Sequence, residues 1–154
     1  MLDRDGAAEL YPLATTDRSI WKVFEDLRKR SFSPRDLFAH IEQVGGYLKG
    51  SEIGKGGGAA NGAAMFRFGR STGFLHGCLV AAGIPYQEIR PVAWQRAVGL
   101  VPRKKGESKS QWKGRIKQHA QRLFPRLTVT LSICDALLIA EACRRQKSNF
   151  AIIS

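Results

Sequence analysis

Acidic residues are scarce in this sequence. Its 154 residues include 13 Asp and Glu against 25 Lys and Arg, a net charge of +12. An imbalance of this size argues against cationic partners and favours a polyanion. Histidine and cysteine are scarce too. His40, His76 and His119 are scattered without metal-ligand spacing, and no Ser-His-Asp or Cys-His set is evident. Cys78, Cys134 and Cys143 are odd in number and include no CxxC pair. They read as reduced core cysteines, which sets aside a disulfide framework and a zinc site. Long apolar runs are missing as well: no stretch approaches the ~20 apolar residues that a membrane span needs. Met1 is not followed by a basic segment and an apolar one, as in a secretory leader. The expected setting is therefore the cytosol, with no membrane partner.

What is present is a concentrated block of positive charge. Between Arg103 and Arg126 stand nine basic residues, Lys104, Lys105, Lys109, Lys113, Arg115, Lys117 and Arg122 among them, against the single acid Glu107. That is a net +8 in 24 residues. Charge this dense favours contact with phosphate backbones, where binding is driven by release of condensed counterions. Nucleic acid is thus the expected partner, ahead of an acidic protein or a membrane surface.

The chain length fits one domain with one core. The patterning predicts a hairpin over Met1–Leu13 turning at Asp5-Gly6, and a helix from about Thr16 to Arg30 with Ile20, Val23, Phe24 and Leu27 at helical spacing. It predicts a short buried strand over Leu37–Val44. Gly45–Ala64, with eight glycines, reads as a loop. Helices are expected at Met65–Ala82, at Pro91–Val98 with proline in the first turn, at Lys109–Leu123 and at Ile133–Arg145. Tyr86–Arg90 reads as a strand, and "LTVTLS" at 127–132 as β-prone. Strands separated by helices indicate an α/β layered fold.

The glycine loop "GSEIGKGGG" is not a P-loop. Three residues separate its glycines where that motif needs four, and Gly56 follows Lys55 in place of Ser or Thr. Gly69, Gly73 and Gly77, four apart in the predicted helix Met65–Ala82, share one helix face. Glycine disfavours helix interiors, so three of them indicate close packing on another backbone, a partner helix or DNA. Arg67 and Arg70 at the start of that helix are candidate phosphate contacts.

Two carboxylates carry the remaining chemistry. Glu42 ends the apolar strand "LFAHIEQV", and Asp135 lies in the first turn of the apolar helix in "SICDALLIAEACRR". A strand-end Glu alone is explained by contact with water, and a helix-start Asp by the helix dipole. Together on a basic α/β domain they suggest a shared divalent ion, since Mg²⁺ takes oxygen ligands and keeps waters for phosphates.

The ordered motifs "HIEQVGGY", "MFRFGRSTGFLHG", "GIPYQEIRPVAWQRAVGL", "RKKGESKSQWKGRIKQHAQRLFP" and "DALLIAEACRR" resemble the RuvC-like Holliday-junction resolvases of phages and bacteria. The resemblance spans about residues 38–146. It implies a single RNase H-like nuclease domain over 1–154, a mixed sheet flanked by helices. It implies a metal-dependent, structure-selective DNA endonuclease that acts on four-way junctions as a homodimer in a bacterial or phage-infected cell. Glu42 would match the acid ending the family's fourth strand and Asp135 the acid of its last helix, both as catalytic ligands of Mg²⁺ or Mn²⁺. Arg67, Arg70, Arg103, Lys104, Lys105, Lys109 and Lys113 would contact DNA. Two features depart from the family pattern. The opening strand with a "GIDPG"-like turn and its Asp has no counterpart, Asp3 and Asp5 reading as turn residues of an N-terminally truncated fold. Ser132 stands where many relatives carry a second acid. The expectation is a chain that binds junction DNA and cleaves it weakly or not at all, with a non-catalytic DNA-binding relative as the alternative.

Overall fold

The computed structural model describes residues 8–11, 16–30, 37–43 and 58–151. Among them the order is α1 (Asp17–Arg30), β1 (Ala39–Glu42), α2 (Gly58–Ala81), β2 (Tyr86–Ile89), α3 (Pro91–Ala97), α4 (Lys109–Leu123) and α5 (Cys134–Ala151). The architecture is mixed α/β, with five helices and one small two-stranded parallel sheet, β1 beside β2. The Gln43 N–H donates to the Ile89 carbonyl at 2.8 Å and extends the pairing past β1. Most of the expected hairpin, Asp3 and Asp5 included, falls outside the described residues.

The chain divides into two compact units. One holds the described residues up to Tyr11, β1 with Gln43, and everything described from Gln87 onward; the other holds α1, α2 and the segment leading to Tyr86.

In the first unit, α5 packs against α3, α4 and β1. The core is a continuous cluster that includes Ile89, Trp94, Ile116, Phe124, Val129 and Leu138. Each element begins where local chemistry permits. Pro91 opens α3, where its missing N–H is not needed. Ser108 caps α4 in a reciprocal capping box: the Gln111 N–H donates to Ser108 Oγ at 3.1 Å, and the Ser108 N–H donates to Gln111 Oε1 at 2.9 Å. Burial lifts the Glu141 carboxyl (5% exposed) towards neutrality, but hydrogen bonds from Arg144 and Arg145 outweigh it and leave its pKa below the ordinary value.

The segment 127–132 forms no strand. Among the described residues no strand lies beside it for its β-prone residues to pair with, and the Gln121 side chain supplies the bonds a ladder would have given. Gln121 Nε2 donates to the Leu127 carbonyl at 2.7 Å, and Oε1 accepts the Val129 N–H at 3.1 Å.

In the second unit, α1 packs on α2. Thr16 Oγ1 accepts the Ser19 N–H at 3.2 Å and starts α1; Asp17 in its first turn and Arg28, Lys29 and Arg30 in its last complement the helix dipole. Helix α2 begins at Gly58, inside the stretch expected as loop. Ala59, Ala60, Ala63 and Ala64 have the best helix propensity of any residue and offset Gly58 and Gly62. The helix stops at Gly83, whose φ of 66° a side chain would resist. The Gly83 N–H bonds to the Val80 carbonyl and the Ile84 N–H to the Leu79 carbonyl, closing the last turn.

Among the described residues, a Cβ added at Gly69, Gly73 or Gly77 meets nothing within 4 Å, so the expected close approach to another backbone is not made by any of them.

Candidate functional site

Glu42 is the last residue of β1, half-buried, and one oxygen is fixed by the core. Trp94 Nε1 donates to Glu42 Oε1 at 2.9 Å. The ring of Trp94 is 2% exposed and belongs to the central cluster, so a rigid side chain aims its only polar atom at the carboxylate. Asp135 stands in the first turn of α5, and its Oδ2 accepts from the Lys113 ammonium on α4.

Both carboxylates act on Lys113. Its hydrogen bond to Asp135 raises the ammonium's pKa, against an opposing desolvation, and the charges of Asp135 and Glu42 act in the same direction. Helices α4 and α5 of the first unit thus pair Lys113 with Asp135, and the charge of Glu42 at the end of β1 adds to the field on Lys113. The formal charge of the three is one positive against two negative. Among the described residues no group of three or more His, Cys, Asp or Glu has the arrangement of a metal site. Glu42 and Asp135 do supply the oxygen donors that Mg²⁺ or Mn²⁺ takes. One oxygen of each is engaged, Oε1 of Glu42 by Trp94 and Oδ2 of Asp135 by Lys113.

Ser132 is exposed and hydrogen-bonds through its hydroxyl to Thr130 at 2.8 Å. The cysteines are all buried free thiols; burial raises the pKa of Cys78 and Cys134. The His119 ring bonds to the Val98 carbonyl at 2.9 Å, and the His76 ring lies 5.2 Å from that of Tyr86. Both have structural surroundings.

The candidate basic residues differ in how far they are already engaged. Lys104, Lys105 and Lys109 are exposed and available to a polyanion. Arg103 is exposed, but its guanidinium donates to the Glu107 carbonyl at 2.6 and 3.0 Å, which ties it to its own loop. Lys113 is engaged with Asp135. In the second unit Arg67 is exposed, and Arg70 pairs with Asp17 at 2.7 Å across α1 and α2, an exposed contact of small energetic weight.

Sequence reasoning did not single out Trp94, Glu107 or Arg115 as parts of the site. Trp94 lies 52 residues from Glu42, beyond any local pattern. Glu107 did leave a signal, as the only acid in the basic block.

No family profile, curated protein or solved structure matches the chain.

Proposed function

We propose that the chain is a DNA-binding protein of the RuvC-like resolvase type, with an RNase H-like fold, that engages four-way junctions as a homodimer. The observation that supports this best is that Lys113, within the basic segment, holds the helix-start Asp135, while the charge of the strand-end Glu42 acts on the same ammonium. A nuclease of this type needs carboxylates near a basic surface, and Lys113, the partner of Asp135, belongs to the most basic segment of the chain.

In this reading Lys104, Lys105 and Lys109 hold the phosphate backbone, with Arg103, Arg67 and Arg70 as further contacts. Such contacts set position and affinity and carry no base information. Glu42 and Asp135 would hold Mg²⁺ or Mn²⁺, which when bound supplies Lewis-acid stabilisation to phosphodiester hydrolysis. Trp94 orients Glu42 by holding Oε1. Lys113 balances the carboxylates in the free chain and, released from Asp135, is long enough to turn its ammonium to a phosphate.

The non-catalytic reading has its own support. Ser132 is uncharged, and Lys113 holds Asp135. A nicking assay on a labelled four-way junction with Mg²⁺ or Mn²⁺ separates the two readings. Cleavage abolished by Glu42→Gln and by Asp135→Asn, with binding retained, supports the nuclease. Junction binding without cleavage by the unaltered chain assigns the non-catalytic role. Cleavage indifferent to both substitutions refutes the carboxylate roles.

A further inference from the structure

The segment between α3 and α4 contains the exposed Lys104 and Lys105, yet it is heavily braced. Glu107 and Arg115 form a bidentate pair, Arg115 Nε to Glu107 Oε1 at 2.7 Å and Nη2 to Oε2 at 2.8 Å. The same guanidinium donates to the carbonyls of Val101 and Pro102, each at 3.1 Å. It also lies 4.7 Å from the centre of the Trp112 ring. Glu107 Oε2 in turn accepts the backbone N–H of Lys104 at 2.9 Å. Gly106, with a φ of 83°, makes the turn between lysines and acid. Two side chains therefore fix this loop at both ends, while neither lysine ammonium is held in a hydrogen bond or ion pair among the described residues. Lys104 and Lys105 line the same open cleft as Glu107, Arg115 and Gly114.

An acid in the middle of a phosphate-binding surface is unfavourable for binding unless it does something else. We infer that Glu107 and Arg115 are positioning residues for DNA binding: their pair folds the loop in advance, so that Lys104 and Lys105 meet phosphates already presented in a fixed geometry. This rests on the DNA-binding reading above. Ordering a flexible loop at the moment of contact subtracts from affinity, and a preformed loop avoids that subtraction.

The test uses the sign of an effect. Glu107→Gln raises the net charge by one and keeps the side-chain volume. If charge alone governs, the variant binds DNA more tightly, through added attraction for phosphate. The clamp predicts the reverse, binding to a fluorescein-labelled duplex weakened about three- to tenfold, on the scale expected for a few side chains losing preorganisation. Arg115→Lys leaves the net charge unchanged but cannot form the planar bidentate pair, and it should weaken binding alike. In both variants the slope of log affinity against log salt should fall by about one to two, the share of the two lysines. Lys104→Gln should then cost less in the Glu107→Gln background than in the unaltered chain. Limited trypsin digestion of the free proteins gives a readout without DNA: cleavage after Lys104 and Lys105 should be slow in the unaltered chain and faster in both variants. DNA bound by the unaltered chain and equally or more tightly by Glu107→Gln, with the salt slope unchanged, overturns the clamp alone. Absence of salt-dependent DNA binding by the unaltered chain overturns the DNA-binding reading and with it the role given to the clamp, whatever trypsin shows.

Discussion

Replacing Trp94 by Phe probes the link between core and carboxylate, because one side chain serves both. The indole is 2% exposed inside the central cluster, and its N–H is committed to Glu42 Oε1 at 2.9 Å. Truncating such a ring to Ala costs about 3–5 kcal/mol. Phe keeps most of the ring contacts, so the packing loss is about 1–2 kcal/mol. The lost hydrogen bond to a charged acceptor adds about 1.5 kcal/mol, the low end of its range because the half-buried carboxylate can recruit water. Trp94→Phe should therefore lower stability by about 2.5–3.5 kcal/mol. Glu42→Met removes the acceptor and leaves a buried N–H unsatisfied, at about 1–3 kcal/mol. The double variant removes donor and acceptor together, so its loss should fall short of the sum by about 1 kcal/mol or more. Urea unfolding of the four proteins measures this, provided the slopes agree. In parallel, the Trp94 indole N–H resonance should move when Glu42 is replaced. Additive losses within about 0.3 kcal/mol, with an unmoved indole resonance, would refute the claim that Trp94 orients Glu42.

DNA binding should fall steeply between about 50 and 200 mM salt. Lys104→Glu and Lys105→Glu should weaken it by the same factor on unrelated sequences, as fluorescence anisotropy would show; binding insensitive to salt would count against the basic face. Glu107 should titrate at about 2, held down by the Arg115 hydrogen bonds, with its backbone bond from Lys104 adding to them against an opposing desolvation. A depressed carboxyl stabilises the loop fully above the ordinary carboxylate range and loses that contribution as pH falls from there to about 2. Side-chain carboxyl NMR would follow this, and an ordinary midpoint would contradict the clamp. At Gly69 and Gly73 an added Cβ meets nothing within 4 Å among the described residues, and Leu improves helix propensity by up to about 1 kcal/mol each. If the proposed homodimer pairs through this glycine face of α2, Gly69→Leu and Gly73→Leu should dissociate it, and sedimentation that still shows a dimer would place the interface elsewhere.

The legible parts of the chain were those whose causes are local. Helix α4 was expected over Lys109–Leu123 and has those bounds, because Ser108 and Gln111 begin it and Pro125 prevents its continuation. The strand before Gly45-Gly46 and the α3 start at Pro91 were read for similar reasons. Errors arose where a local preference met a non-local arrangement. The β-prone 127–132 segment found Gln121 in place of a neighbouring strand. The glycine-rich stretch masked the first turns of α2, because its alanines were outnumbered in appearance though not in propensity. Lys113 read as a phosphate contact within a run of basic residues, since nothing in the run reports that Asp135, 22 residues on, folds back to it.

That last pairing changes the electrostatic reading of the whole site. The chain carries +12, yet Glu42, Lys113 and Asp135 together carry a formal net of minus one. If the chain binds DNA as proposed, a phosphate drawn to the surface by Lys104, Lys105 and Lys109 meets local repulsion at the carboxylates. Attraction and repulsion thus come from different residues of the same unit, and the two should respond differently to the same perturbation. Charge removal along 103–109 weakens every DNA contact. Neutralising Glu42 or Asp135 leaves those contacts in place and removes the repulsion. Binding that is retained or tightened in Glu42→Gln and Asp135→Asn therefore follows from the charge arrangement alone, and loss of cleavage in the same variants would have to come from chemistry, with no share for affinity.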